Sequence, residues 1–391
     1  VSGITAYVHG EVSLEGTIVK MAQDFVGANN ANLLEPKGQF GSRISGGKDA
    51  ASSRYIYTLI SKWVPLVFKD QDNKLLKYHF DDSFQIEPVH YAPILPMILV
   101  NGADGIATGY ASTVPMFKPF DIINNIRNLI NNKPIFEMIP YYRNFKGTIT
   151  KKDQNKWVSR GLFIKKGLLI NISELPIDMW YENYKTLLKG LEDAEILTFT
   201  SKPIEDKNNP NNYYEEYNIK LNKDYEEVEL IKLLKLESNI NATNLVGFDQ
   251  NNCIKKYNSA EEILTEFYSY RLALYQKRKE YLEQELNEKL ILISEKARFI
   301  RLFIEKKLII INRSEEDVSL DLVKLKFNKI DDSYDYLLNL SLKYLTINKI
   351  KSLETDIQKL TEELVILRNK NAKDLWADDL DLLKDIDVFM T

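Results

Sequence analysis

Residues Gly38–Thr58 read GQFGSRISGGKDAASSRYIYT, the stretch of this 391-residue chain richest in residues that carry chemistry. Gly38, Gly41, Gly46 and Gly47 break the chain there, and the spacing predicts that Lys48–Ser61 continues as a loop and then a helix. Glycines can turn backbone N–H groups toward phosphate, and Arg43, Lys48 and Arg54 would add positive charge. The match to a nucleotide-binding loop is incomplete. Four residues lead from Gly41 to Gly46, but Gly47 stands where lysine is needed and Lys48 where Ser or Thr should follow, so an ATP site is rejected here.

The same segment ends on two phenols, Tyr55 and Tyr57. Any one of 22 tyrosines is structural by default. A phenol titrates near pH ~10, so only roughly one in a thousand is ionised at neutral pH. A nucleophilic tyrosine therefore needs cationic neighbours or a base. Arg54 adjoins Tyr55 and Lys48 is near, yet spacing does not choose between Tyr55 and Tyr57.

Upstream, His9 sits in Tyr7-Val8-His9-Gly10-Glu11, where a lone histidine before glycine is by itself a turn or packing residue. Downstream, Asn101–Gly109 (NGADGIATG) is an apolar-flanked loop. Its Ile106 reads as ordinary core on pattern, and alternatively as a wedge of the kind that kinks DNA from the minor groove. Short strand-like runs follow at Lys146–Thr150, Gly161–Lys165 and Leu168–Ile172, and Lys207–Tyr214 reads as an exposed polar loop. Asp379-x-Asp381 and Asp385-x-Asp387 read as a solvated helix face rather than a metal site.

From Ser259 the pattern changes. Ser259-x-x-Glu262 is a capping-box signature. Leu286, Leu290, Ile293, Ala297, Ile300 and Ile304 alternate steps of four and three, as do Ile350, Leu353, Ile357, Leu360, Leu364 and Leu367. Two such seams around a compact insert predict a helix going out and one returning antiparallel. The apolar insert Tyr336–Thr346 is a cap if buried and a dimer contact if exposed.

The length implies two or three domains. The longest apolar run, Tyr91–Val100, is broken by two prolines and is too short to span a bilayer. Lone Cys253 excludes a disulfide framework and a cysteine zinc site. Opening on Val1 predicts a piece of a longer protein. The net charge of −4 argues against a polyanion partner. Position alters that reading: residues 141–190 carry ten basic against four acidic side chains, residues 191–230 four against eleven. The chain is locally basic inside an acidic whole.

Taken together, Tyr7–Thr17 (YVHGEVSLEGT), Gly38–Thr58, Pro93–Gly109 (PILPMILVNGADGIATG), Tyr336–Thr346 (YLLNLSLKYLT) and Ala372–Trp376 (AKDLW) resemble the DNA-cleavage half of type IIA DNA topoisomerases. The eukaryotic type fits better than bacterial gyrase A. The resemblance spans essentially the whole chain. It implies an α+β multidomain fold: an incomplete winged-helix domain over 1–98, an α/β tower domain over 99–257, and over 258–391 a long antiparallel coiled coil ending in a helical exit gate. It implies Tyr55 as the nucleophile, forming a 5′-phosphotyrosyl link, with Arg54 stabilising the transferring phosphate and His9 bonding it or the leaving oxygen. Arg43 and Lys48 would hold backbone phosphates, Ile106 would intercalate and Ser13 would lie near the cleaved strand. Tyr336, Leu337, Leu338, Leu340, Leu342 and Leu345 would form a homodimer contact. Double-stranded DNA is the implied partner, with no membrane association and no metal bound by this chain. Mg2+ and ATP would act in the parent enzyme through domains outside it, so the piece alone would be inactive. Localisation would be nuclear if cellular, and nuclear or at a cytoplasmic replication site if viral. Val8 replaces the first histidine of YHHGE-type relatives. Two rivals are a non-catalytic DNA-binding scaffold and a tyrosine nicking nuclease, and the latter lacks a histidine pair.

Overall fold

The computed structural model describes residues 3, 7–205, 213–330, 332–341 and 344–390. They fall into two compact units, Val1–Leu272 with Trp376–Thr391, and Ala273–Leu375.

In the first unit, helix α1 (Glu11–Ala22) precedes strand β1 (Leu34–Lys37). Lys48–Ser61 departs from the expected loop and helix. A single 3-10 turn, Ser53–Tyr55, is followed by strand β2 (Tyr57–Ile60), paired antiparallel with β1 from Lys37↔Tyr57 to Leu34↔Ile60. The aromatic and β-branched run Tyr57-Thr58-Leu59-Ile60 suits a pleated ribbon better than a helix. Hairpins β3 (Tyr78–Asp81) with β4 (Phe84–Pro88) and β5 (Ala103–Ala107) with β6 (Tyr110–Val114) follow, then helix α2 (Pro119–Ile130).

The expected strand runs are present. β7 (Thr148–Asp153) and β8 (Lys156–Arg160) join β13 (Glu237–Asn241) in the order β13-β8-β7. β9 (Leu162–Lys166), β10 (Leu169–Glu174), β11 (Leu197–Glu205) and β12 (Tyr213–Leu221) form a sheet in the order β11-β12-β10-β9. Helix α3 (Tyr181–Asp193) lies on it, Tyr184 and Leu188 meeting Ile170, Ile172, Tyr217 and Ile219 in one core. Side chains alternate along a strand, so the phase that buries Ile170 and Ile172 also buries Glu174. A carboxylate in that position requires a partner. The polar stretch at 207–212 lies outside the described residues.

Helix α4 (Glu227–Leu233) and the hairpin of β14 (Leu245–Phe248) and β15 (Ile254–Tyr257) lead to helix α5 (Ala260–Ile304), 45 residues long. The capping box is half realised. The Glu262 N–H donates to Ser259 Oγ at 3.2 Å, but the Glu262 carboxylate accepts from the Asn258 N–H at 2.7 Å, one residue earlier than expected. At the other end of the chain, Trp376 of helix α8 (Ala372–Asp381) is buried in this unit. Its indole N–H donates to the Ile94 carbonyl at 3.1 Å, and Tyr268 stacks on it at 5.3 Å. Asp379 is not on a solvated face; it pairs with Lys69 at 2.8 Å, both side chains largely buried.

In the second unit, α5 from Ala273 onward runs beside helix α7 (Ile347–Asn369). Arg301 pairs with Glu354, and Arg368 donates to Asn287 Oδ1 at 3.2 Å. Rising numbers on one helix meet falling numbers on the other, so the two are antiparallel. Both seams face inward: Ala297, Ile300, Leu353, Leu364 and Leu367 are buried and the other seam residues half-buried. Between them, helix α6 (Glu315–Lys324) is capped by Ser314, whose Oγ accepts from the Asp317 N–H. The insert divides. Leu337 is wholly buried in the core with Val318, Leu322 and Phe327, and so is unavailable to a partner; this corrects its expected place in a dimer contact. Tyr336, Leu338, Leu340 and Leu345 pack half-buried on that core, and the Tyr336 hydroxyl donates to the Asn328 carbonyl at 2.6 Å. Leu342 lies outside the described residues. No helix among the described residues is long and apolar enough to cross a membrane.

Candidate active site

The glycine loop is held by its own residues. Asp49 Oδ1 accepts from the Ser42 N–H at 2.9 Å and the Ser45 hydroxyl at 2.7 Å, while Oδ2 accepts from the Ser42 hydroxyl at 2.6 Å. Burial pushes the Asp49 carboxyl up, but these bonds outweigh it and hold the group below the usual carboxylate range. From outside the loop, Gln23 Nε2 donates to the carbonyls of Phe40 and Gly47 at 2.9 and 3.2 Å. The Gly47 N–H donates to the Ser42 carbonyl at 2.8 Å. That donor closes the turn rather than facing a phosphate. Gly41 shows why glycine is needed: at φ +99° an added Cβ would stand 2.6 Å from the Gly47 carbonyl oxygen.

Arg43 corrects an expectation. In place of the phosphate contact that the resemblance implies, it is 2% exposed and its guanidinium is paired with Glu174, donates to the Leu175 carbonyl at 2.8 Å and lies 5.4 Å from the Tyr181 ring centre. A guanidinium with those partners has no access to DNA. Its function is to neutralise the inward carboxylate of β10 and fasten the loop to the sheet. The Arg43 and Ile44 carbonyls also accept the N–H groups of Tyr181 and Glu182 at the start of α3.

On this base the 3-10 turn presents Arg54 and Tyr55 to solvent. Tyr55 is 73% exposed, and the Arg54 guanidinium lies over its ring, 5.1 Å from the centre. Tyr57 is exposed too, but it belongs to the β2 ladder opposite Lys37. Thr58 Oγ1 fixes that ribbon by donating to the Glu35 carbonyl at 2.7 Å. Lys48 is exposed beside the loop.

A second group gathers at the start of α1. Tyr7 Oη and Ser13 Oγ are 2.9 Å apart, and the His9 ring meets Tyr7 edge-on at 5.6 Å. His9 and Ser13 are exposed. No hydrogen bond or ring contact joins His9 to Arg54 or Tyr55 among the described residues.

Ile106 is not core. It is 93% exposed on the β5–β6 hairpin, opposite Ala111. The hairpin is anchored at its base, where Asn101 and the backbone of Ala31 exchange two bonds of 2.8 Å, and near its tip, where Asn244 Nδ2 donates to the Ala111 carbonyl at 2.7 Å. An apolar side chain so exposed on so fixed a ribbon is suited to insertion into another structure.

The charge segregation along the chain is partly undone in space. Lys165 pairs with Asp224 at 2.7 Å, Lys185 with Glu215 at 2.6 Å, Arg160 with Glu237 at 2.7 Å, and Lys151 with Glu137. Three of these acids, Glu215, Asp224 and Glu237, follow the basic stretch and fold back onto it while Glu137 precedes it, and the excess available to a polyanion is smaller than the count along 141–190. Among the described residues, no group of three His, Cys, Asp or Glu side chains is placed to hold a metal ion.

Sequence reasoning missed the residues that support the site: Gln23, Asp49, Asn101, Glu174 and Asn244. Glu174 carried a visible signal, a lone acid in the inward phase of an apolar alternation. Gln23 and the two asparagines carried none, because their partners are backbone atoms far away in the chain.

Comparison with known proteins gives a consistent set of relatives. A family described as the A subunit of DNA gyrase/topoisomerase IV matches residues 1–381. DNA topoisomerase 2-beta of Gallus gallus is 37% identical across 97% of this chain and 26% of its own length. Mitochondrial DNA topoisomerase 2 of Dictyostelium discoideum is 37% identical across 97% of this chain and 30% of its own. The chain thus spans about a quarter to a third of these curated relatives. The crystal structure of the Plasmodium falciparum topoisomerase II DNA-binding, cleavage and re-ligation domain superposes with a TM-score of 0.88 at 34% identity, covering 98% of this chain and 56% of that one.

Proposed function

The chain belongs to the family of the DNA gyrase/topoisomerase IV A subunit, and from that premise we propose that it is the DNA breakage–reunion portion of a eukaryotic-type type II topoisomerase. The observation that carries the reading is Tyr55 itself, an exposed phenol under a guanidinium on a turn that follows a loop anchored by a buried ion pair.

In this proposal the Tyr55 hydroxyl oxygen attacks a DNA phosphodiester. A P–O bond to tyrosine forms as the P–O3′ bond breaks, the phenolic proton leaves and the 3′ oxygen departs as a hydroxyl. The 5′-phosphotyrosyl bond resembles the one broken, so the reverse attack reseals the strand. Arg54 stabilises charge on the transferring phosphate, and His9 reaches the phosphate or leaving oxygen when DNA is bound. Lys48 holds backbone phosphate, Ser13 lies beside the strand and Ile106 wedges between base pairs. The region 1–98 serves as a winged-helix domain, 99–257 as a tower and 258–391 as a coiled-coil arm with an exit gate. A homodimer, joined through Tyr336, Leu338, Leu340 and Leu345, cuts both strands and passes a second duplex. Mg2+ and ATP belong to other parts of the longer enzyme. Localisation is proposed as nuclear, or a cytoplasmic replication site for a viral protein.

The test joins the chain to the remaining domains of the enzyme and traps cleaved DNA with denaturant. A covalent protein–DNA adduct is expected, and Tyr55→Phe should abolish it while DNA binding persists. An adduct that survives Tyr55→Phe removes the assignment. DNA-dependent behaviour wholly indifferent to the substitution would favour a non-catalytic scaffold.

A further inference from the structure

The first unit also contains a cavity of about 450 Å³ remote in sequence from the tyrosine loop. Its walls come from the His90–Ile98 segment, the β14–β15 hairpin and the first turns of α5. Six aromatic rings line it: Phe68, Tyr91, Phe248, Tyr257, Phe267 and Tyr270. Tyr91 and Phe248 are 61% and 59% exposed. Phe68 meets Tyr91 edge-on at 6.0 Å, the arrangement that sets a positive ring edge against a negative face.

Two carboxylates share the lining, Asp249 and Glu266. Asp249 is fixed by accepting the N–H groups of Asn251 and Cys253, each at 2.8 Å. Glu266 pairs with Lys255 at 2.6 Å and accepts from the Tyr257 hydroxyl at 3.3 Å. The Lys255 ammonium lies 4.6 Å from the centre of the Tyr257 ring. One ring and one carboxylate of the cavity wall therefore already hold a cation between them. His90, also on the wall, is bonded to the Tyr270 hydroxyl at 2.7 Å.

We propose that this cavity is a binding site for a small aromatic organic cation, an alkylated ammonium carried on a flat apolar body. Glu266 is already neutralised by Lys255, so the electron-rich faces of the other rings and the Asp249 carboxylate are what suit a cation that has no N–H to satisfy. The volume is that of a small-molecule site and far exceeds an ammonium head alone, so the apolar remainder calls for a body. A ligand seated there would touch three stretches widely separated in the chain.

Calorimetric titration of the chain with benzyltrimethylammonium tests this without reference to DNA cleavage, so its failure leaves the topoisomerase reading untouched. The cation is expected to bind about tenfold more tightly than its uncharged isostere, neopentylbenzene. Tyr91→Leu keeps the apolar lining, removes a π-face and sits at an exposed position that the fold tolerates. It should weaken the cation several-fold and leave the isostere alone. A trimethyl-lysine peptide brings the head group on a thin stem and should bind more weakly than benzyltrimethylammonium. Absence of binding, equal affinity for cation and isostere, indifference to Tyr91→Leu, or tighter binding of the peptide would each overturn the proposal.

Discussion

The tyrosine loop and the helical head of the second unit each carry a run of motif residues, and each run is divided between surface and interior. In the loop, Tyr55, Arg54 and Lys48 face solvent while Arg43 is buried. In the head, Leu337 is buried while Leu338 and Leu340 are partly open. The physics of the two divisions differs. A leucine is buried by whatever apolar neighbours surround it. A guanidinium is buried only where an opposite charge has been prepared, and here that charge comes from a strand 131 residues away in sequence. A polar support can therefore be lost by one distant change, whereas an apolar one erodes gradually.

Removing Arg43 tests this most severely. Arg43→Ala should destabilise the first unit by about 3–5 kcal/mol in urea unfolding, since it strands Glu174. Adding Glu174→Leu should restore part of the loss. A variant that weakens only DNA binding, at unchanged stability, would return Arg43 to the role of a phosphate contact. In the head, Leu337→Ala should cost about 2–5 kcal/mol as a cavity mutation. Leu338→Glu and Leu340→Glu should instead lower dimer affinity in sedimentation, and an unmodified chain that is monomeric throughout would break that half of the comparison. A smaller effect belongs to Gly41→Ala, about 1–3 kcal/mol of backbone strain, measurable as reduced adduct yield together with a lowered unfolding midpoint.

Acidity gives a gentler test of the loop. With its carboxyl held below the ordinary range, Asp49 contributes stability that is present above its unfolded value near pH ~4. That contribution is lost as pH falls through the lower folded value. Amide exchange at Ser42 should accelerate below pH ~4, and Asp49→Asn should remove the acid-dependent step. The smallest change in stability is expected at Ile106. Ile106→Ala should alter unfolding by no more than about 0.5 kcal/mol while abolishing the bend in bound DNA seen by end-to-end energy transfer. A large stability loss there would mean that the side chain packs within the protein.

Some of this was legible in the sequence. The two seams and the short strands at 148–174 follow from local spacing, and local spacing survives folding, whereas Arg54-Tyr55 comes from the family resemblance, since spacing leaves Tyr57 open. Lys48–Ser61 reads as loop and helix because the β1 partner lies outside any local window, although Tyr57–Ile60 is itself strand-forming. The basic stretch counts for less than its composition suggests for a related reason, since Asp224 and Glu215 approach Lys165 and Lys185 only after the sheet closes. Arg43 shows the limit of a motif most clearly. A pattern of letters preserves which residue is required and says nothing of which way it points.

The bond between Arg43 and Glu174 also sets an order of events. A ribosome adds roughly 5–20 residues per second. The carboxylate that fastens the tyrosine loop therefore emerges on the order of ten seconds after the arginine it meets, given their separation of 131 residues. Until then the nascent loop has only its local bonds, and its guanidinium lacks the Glu174 carboxylate. Long-range closure of this kind slows folding. The tyrosine loop thus cannot be fastened to the sheet before β10 has emerged, and a chain stalled short of β10 would display the tyrosine without that anchor.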